Sequence, residues 1–234
     1  MALDIRLEAQ KYYDQAMAAA KEAKMEESIC LFSKALNFYP FEGIYYRYRG
    51  HRHLNLRQFD EGAADLELAS RLIPENWDVW YHLGLAHYLR GEFEKAAVAY
   101  QRCLELTETK DAMIAIVDWY WMTLTRLGQS EKAEKLLEKV SPQDDPGENI
   151  AYFERVLLYK GLHSLDESMA FFKNEAEEAI NRITCGYGLG NYLRLKGDAE
   201  GAKAVWKELL ALAGETRSKY AFACLAAESE LERA

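Results

Sequence analysis

The chain has 234 residues, half of them apolar, with 29 Lys+Arg against 38 Asp+Glu, so its formal net charge is −9. That apolar fraction excludes a disordered chain. The acidic balance disfavours a general nucleic-acid binder, which carries a basic face, and only 4 Pro and 14 Gly argue against a turn-rich all-β chain.

The first residues, MALDIRLEAQ, mix in charges from Asp4 onward and lack the apolar run of a secretory signal. No stretch reaches the ~18 consecutive apolar residues that span a bilayer. Cys30, Cys103, Cys185 and Cys224 stand far apart with no C-x-x-C pair, as expected of reduced thiols packed as small hydrophobes. A cytoplasmic protein is expected, without membrane or nucleic-acid partners.

Along the chain, three features recur. Pro40 and Pro74 are 34 residues apart, and both end an apolar segment (LFSKALNFYP, LELASRLIP). Gly50 and Gly84 are also 34 apart. A short punctuating block returns as NLRQFDEGA, LRGEFEKAA, RLGQSEKAE and LKGDAEGAK, each between two amphipathic segments. In the clearest unit, Trp80, Leu83 and Gly84 are followed by Gly91, Phe93, Ala96, Tyr100 and Leu104. Gly84 and Ala96 are small where two helices approach closely, and Gly91 suits the positive φ that ends the first helix. This unit resembles the tetratricopeptide repeat, whose pattern runs W-x2-L-G, then Ala, then an aromatic.

With that unit as ruler, six copies fall at about 9–42, 43–76, 77–113, 114–148, 149–182 and 183–214. Their mid-first-helix positions are Ala16, Gly50, Gly84, Trp121, Val156 and Gly190. In the fourth and fifth copies Trp121 and Val156 replace a small residue, and Ser130 replaces the aromatic after Gly128. A large-for-small exchange compensated by a small-for-large one keeps the volume; unusual crossing of those pairs is the other possibility. Residues 215–234 read as a terminal cap with a charged outer side. The resemblance implies an all-α, right-handed superhelical solenoid of about six antiparallel helix pairs in a single domain, plus a C-terminal capping helix.

Arrays of this family hold partners on the concave surface lined by first helices. Carried over to this chain, that surface takes Arg47, Tyr48 and His51 from the second repeat and Tyr81, His82, Leu85 and Tyr88 from the third. The fourth contributes Asp118, Trp119, Met122 and Arg126, the fifth Phe153, and the sixth Tyr187 and Asn191. Rigid aromatics interleaved with Arg have the composition of binding hot spots. Helically spaced aromatics are also what an interhelix core requires; the Tyr48–Tyr81–Trp119 stripe is read as binding, so that Trp119→Ala is expected to weaken capture without unfolding. Chaperone adaptors of this fold place Lys, Asn and Arg where this chain has Tyr13, Met17, Tyr48, Asp78 and His82, and an acid there repels a carboxylate.

The run Gly186-Tyr-Gly188-Leu-Gly190 lacks the preceding strand of a dinucleotide loop. In the repeat frame Gly190 is the small interhelix residue, Gly186 shares its side, and Gly188 leaves room on the concave face for a partner. These readings favour a non-enzymatic scaffold for a peptide or protein partner, with no cofactor. The alternatives are a self-associating structural protein, or a metal- or small-molecule-binding protein with a site at His51, His82 and Asp78.

Overall fold

The computed structural model describes residues 2–216 and 218–233, with side chains from residue 4 onward. Among the described residues it holds thirteen α-helices and no strand, in the order expected of six pairs and a terminal helix. Internal contacts gather them into two compact units, residues 1–91 and 92–234.

The first unit holds α1 (Ala2–Lys21), α2 (Met25–Phe38), α3 (Gly43–Asn55), α4 (Phe59–Leu72) and α5 (Trp77–Leu89). In α2 the buried residues Met25, Ser28, Phe32, Ala35 and Leu36 recur at helical spacing and form one face. That face packs on α1, and the Ser28 hydroxyl donates to the Ala16 carbonyl at 2.8 Å. Between α3 and α4 the approach is set by two glycines. A Cβ at Gly50 would lie 2.9 Å from Leu66 Cγ, and one at Gly62 would lie 2.7 Å from Leu54 Cδ2. The turns after α1 and α3 use Ala23 and Arg57 at φ 60° and 62°, a left-handed conformation that L side chains disfavour. Gly91 takes the same conformation after α5.

The second unit holds α6 (Phe93–Leu106), α7 (Lys110–Arg126), α8 (Ser130–Leu137), α9 (Ile150–Tyr159), α10 (Leu165–Lys173), α11 (Ala179–Leu195), α12 (Ala199–Glu215) and α13 (Phe222–Arg233). Gly128, Gly161 and Gly197 end first helices with positive φ. The α10 start carries a reciprocal cap: the Ser164 hydroxyl accepts from Glu167 N, and the Glu167 carboxylate accepts from Ser164 N. The short second helices are α8 and α10, with 8 and 9 residues against 14 in α6. Trp121, at the small-residue place, stacks on Tyr159 of α9 with ring centroids 3.8 Å apart and planes within 9°. Its bulk is therefore taken up by a neighbouring first helix.

Candidate functional site

In the first unit, α3 and α5 bring together the residues singled out around His51 and His82. Arg47 Nη2 lies 2.5 Å from Asp78 Oδ2, and His82 Nδ1 lies 3.1 Å from Asp78 Oδ1. His82 Nδ1 is also 2.8 Å from the Asp78 carbonyl. Both partners are acceptors, so Nδ1 carries the proton and Nε2 is left to accept from Arg47 at 3.4 Å. The rings of His51 and His82 sit 4.5 Å apart. On the α1 side, Tyr13 packs edge-on to Tyr48 at 5.7 Å, and the Arg47 guanidinium stacks over the Tyr48 ring at 4.4 Å.

The electrostatics follow from this packing. Burial, then the positive neighbours, hold His51 well below the usual imidazole range, and burial with Arg47 also lowers His82. Both rings are neutral at pH 7. Burial alone would raise Asp78, but His82 and Arg47 hold it far below the usual carboxylate range.

The metal reading of His51, His82 and Asp78 meets a correction. The guanidinium of Arg47 stands where a cation would sit on Asp78. Among the described residues, no group of three or more His, Cys, Asp or Glu side chains is arranged to hold a metal ion.

In the second unit five of the seven expected concave residues, Asp118, Trp119, Met122, Tyr187 and Asn191, lie inside. Asp118 is wholly buried and pairs with Arg155 of α9, Nη2 to Oδ2 at 2.9 Å. The Arg155 guanidinium is 5.5 Å from the ring centroids of both Trp119 and Tyr187, which stack on each other at 5.6 Å. Its N–H groups also donate to the Tyr159 hydroxyl at 3.3 Å, to the Thr184 carbonyl at 3.2 Å and to Met122 Sδ at 3.0 Å. Burial pushes the Asp118 carboxyl up to about 7 against the attraction of Arg155. Burial would lower Arg155, but Asp118 and the nearby Tyr159 raise it overall.

The glycine run is explained by the same core. A Cβ at Gly186 would lie 2.7 Å from Phe172 Cε2, one at Gly188 would lie 2.6 Å from Arg155 Cγ, and one at Gly190 would lie 2.6 Å from Trp206 Cδ1. Each glycine therefore admits one side chain of this chain. The room expected at Gly188 for a partner is filled by Arg155.

The terminal helix α13 closes the arrangement. Glu230, buried, pairs with Arg126 of α7, accepts from the Tyr187 hydroxyl at 3.4 Å and lies 3.7 Å from Arg233. Arg126 also donates to Asn191 Oδ1 at 3.4 Å. Arg126, Tyr187 and Asn191, all expected on the partner-binding face, are thus engaged within the chain, the first two by Glu230 and Asn191 by Arg126.

Of the fourteen residues carried over to the concave face, Tyr48, His51, Arg126 and Phe153 are half-buried. Arg47, Tyr81, His82, Leu85, Tyr88, Asp118, Trp119, Met122, Tyr187 and Asn191 are buried. An interior side chain cannot touch a partner while its surroundings stay folded, so these ten support the surface from beneath. Sequence reasoning overlooked Arg155 and Glu230. Gly188 was the available signal for Arg155, because a glycine inside a helix marks a close approach.

The family model of the tetratricopeptide repeat matches residues 49–109. Over those residues, about a quarter of its length, the chain is similar to the tetratricopeptide repeat. Among its relatives is the small glutamine-rich tetratricopeptide repeat-containing protein 2 of Saccharomyces cerevisiae, 29% identical over 120 residues. That match covers 51% of this chain and 34% of the yeast protein. The heat-shock protein cognate (HSC) co-chaperone sgt12 of Aspergillus fumigatus is 29% identical over 98 residues, covering 42% of this chain and 29% of its own. The repeat protein therefore spans about a third of the length of these relatives. A crystal structure of MamA protein superposes over 91% of this chain and 95% of its own with a TM-score of 0.54. At 17% identity the likeness is one of fold. No helix among the described residues is long and apolar enough to cross a membrane.

Proposed function

We propose that this repeat protein is a non-enzymatic cytoplasmic scaffold whose N-terminal unit binds a peptide segment or a protein partner on its first helices. The observation that carries the reading is the side-by-side placement of Tyr13, Tyr48, His51 and Asp78, each half-buried, over the buried Arg47 and His82. Aromatic side chains held by their neighbours lose little entropy on binding, and a polar network beneath them orients hydrogen bonds. The second unit supports the surface reading less, because Trp119, Tyr187 and Asp118 are spent on its own core.

One relative is called an HSC co-chaperone. In this chain Tyr13, Met17, Tyr48, Asp78 and His82 stand where chaperone adaptors of this fold place their Lys, Asn and Arg. Asp78 is anionic and already paired, so the proposed partner is an uncharged or basic extended segment held by stacking and hydrogen bonds. Affinity capture from native lysate, comparing wild type with the Tyr48→Ala/His51→Ala double variant, tests this. Capture should fall while the helical circular-dichroism signal persists. Undiminished capture by a folded double variant removes the proposal.

A further inference from the structure

A second surface lies in the C-terminal unit. Helices α6, α7 and α8 enclose a cleft of about 460 Å³. Its floor is apolar: Tyr120, Leu124 and Leu136 are almost fully buried, and Leu104 is half-buried. The α6 wall carries Gln101 and Glu105, and Gln101 is pinned by the Tyr120 hydroxyl, which donates to it at 3.1 Å.

The opposite wall is basic. Lys132, Lys135 and Lys139 follow one another at i, i+3 and i+7 along α8 and the turn after it, so they share one side. Six other lysines of this chain, among them Lys95, Lys110 and Lys173, lie within 4 Å of an acid. Among the described residues these three have no ion pair and no hydrogen bond. Glu105 across the cleft is already engaged by Gln101 at 3.1 Å and Arg102 at 3.3 Å. Three lysines on one side of a leucine floor make a local basic wall in a chain of net charge −9.

We propose that this cleft docks an acidic amphipathic helix of a partner protein. Its apolar side chains would rest on Leu104, Leu124 and Leu136, and a row of carboxylates would face Lys132, Lys135 and Lys139. The spacing decides for a helix over a small amphiphilic acid. Seven residues at a rise of 1.5 Å make the lysine row about 10 Å long, so one head group meets one lysine. A helix lying alongside α8 presents acids at the same pitch and meets all three. This surface is independent of the first-helix face of the N-terminal unit.

The probe is a synthetic helical peptide of about 14 residues with Leu on one face and Glu at i, i+3 and i+7 beside it, titrated by fluorescence anisotropy against the full chain. Binding is expected at low salt and should weaken toward about 0.5 M salt, where charges are screened within about 4 Å. Lys132→Glu/Lys135→Glu/Lys139→Glu alters exposed positions only and should weaken binding by at least about tenfold, as should Glu→Gln in the peptide. The Tyr48→Ala/His51→Ala variant should bind the peptide like wild type. No binding, binding indifferent to lysine reversal, loss of binding in the Tyr48/His51 variant, or full displacement by dodecanoate would each overturn the proposal.

Discussion

The side chain of Arg155 runs through the space that a Cβ at Gly188 would occupy, with its Cγ 2.6 Å and its Cδ 2.7 Å from that point. Through this gap α9 reaches α11, and the guanidinium arrives beside the stacked Trp119 and Tyr187 with Asp118 as counter-ion. A helix-interior glycine is here the condition for a buried ion pair two helices away from its origin.

Gly188→Ala should therefore destabilise the C-terminal unit by about 1–3 kcal/mol, the range for overpacking, although alanine is the better helix former. Denaturant unfolding measures it. Gly197→Ala is the contrasting control: nothing lies within 4 Å of its Cβ, but its φ of 89° is left-handed, so a loss of about 1 kcal/mol comes from the backbone alone.

Trp119 is wholly buried and stacked on Tyr187. Its replacement by Ala should cost about 3–5 kcal/mol, as for other buried aromatics. The variant will report on folding before it reports on partner capture, the reverse of what its place on a first helix suggested. A thermal midpoint unchanged from wild type contradicts this.

Asp118 makes a pH prediction with a definite sign. Its carboxyl titrates near 3.8 in an unfolded chain and near 7 in the fold, because burial outweighs the pull of Arg155. The folded state binds more protons between those values. The contribution to stability is thus fully present below about pH 4 and is lost as pH rises through about 7. Asp118→Asn cannot titrate, so the wild-type thermal midpoint should fall relative to the variant's between pH 4 and 7. Parallel profiles would show that Asp118 stays ionised throughout.

Glu230 ties α13 to Arg126 and Tyr187. Glu230→Ala leaves a largely buried guanidinium without its acid and should cost about 2–3 kcal/mol. Hydrogen exchange should quicken first in residues 222–233, while α3 and α4 of the other unit keep their protection.

Much of the fold is legible from spacing. The positive-φ turns at Ala23, Arg57, Gly91, Gly128, Gly161 and Gly197 fall where first helices were expected to end, because a repeat of near-constant length returns each turn to the same phase. Two of these turns lack glycine, so composition alone hides them. Less of the site is legible. Periodicity places Trp119 and Asp118 on the inner side of a first helix, but it does not say whether that side meets water, a partner or another helix. That is decided by how far a neighbour's side chain reaches, as Arg155 shows.

Length, apolar content and the 34-residue period by themselves determined an all-α array of helix pairs with a terminal helix, since hydrophobic spacing and turn chemistry are local properties of the chain. Only the tertiary structure decided what the inner faces do. It gave Gly186, Gly188 and Gly190 to Phe172, Arg155 and Trp206, set Arg47 on Asp78 in place of a metal, and turned Arg126 toward Glu230. The acidic total of −9 likewise hid the lysine row beside the Leu124 floor. Net charge sums over a surface, whereas the fields that matter act across a few ångströms and depend on which charges the fold brings face to face.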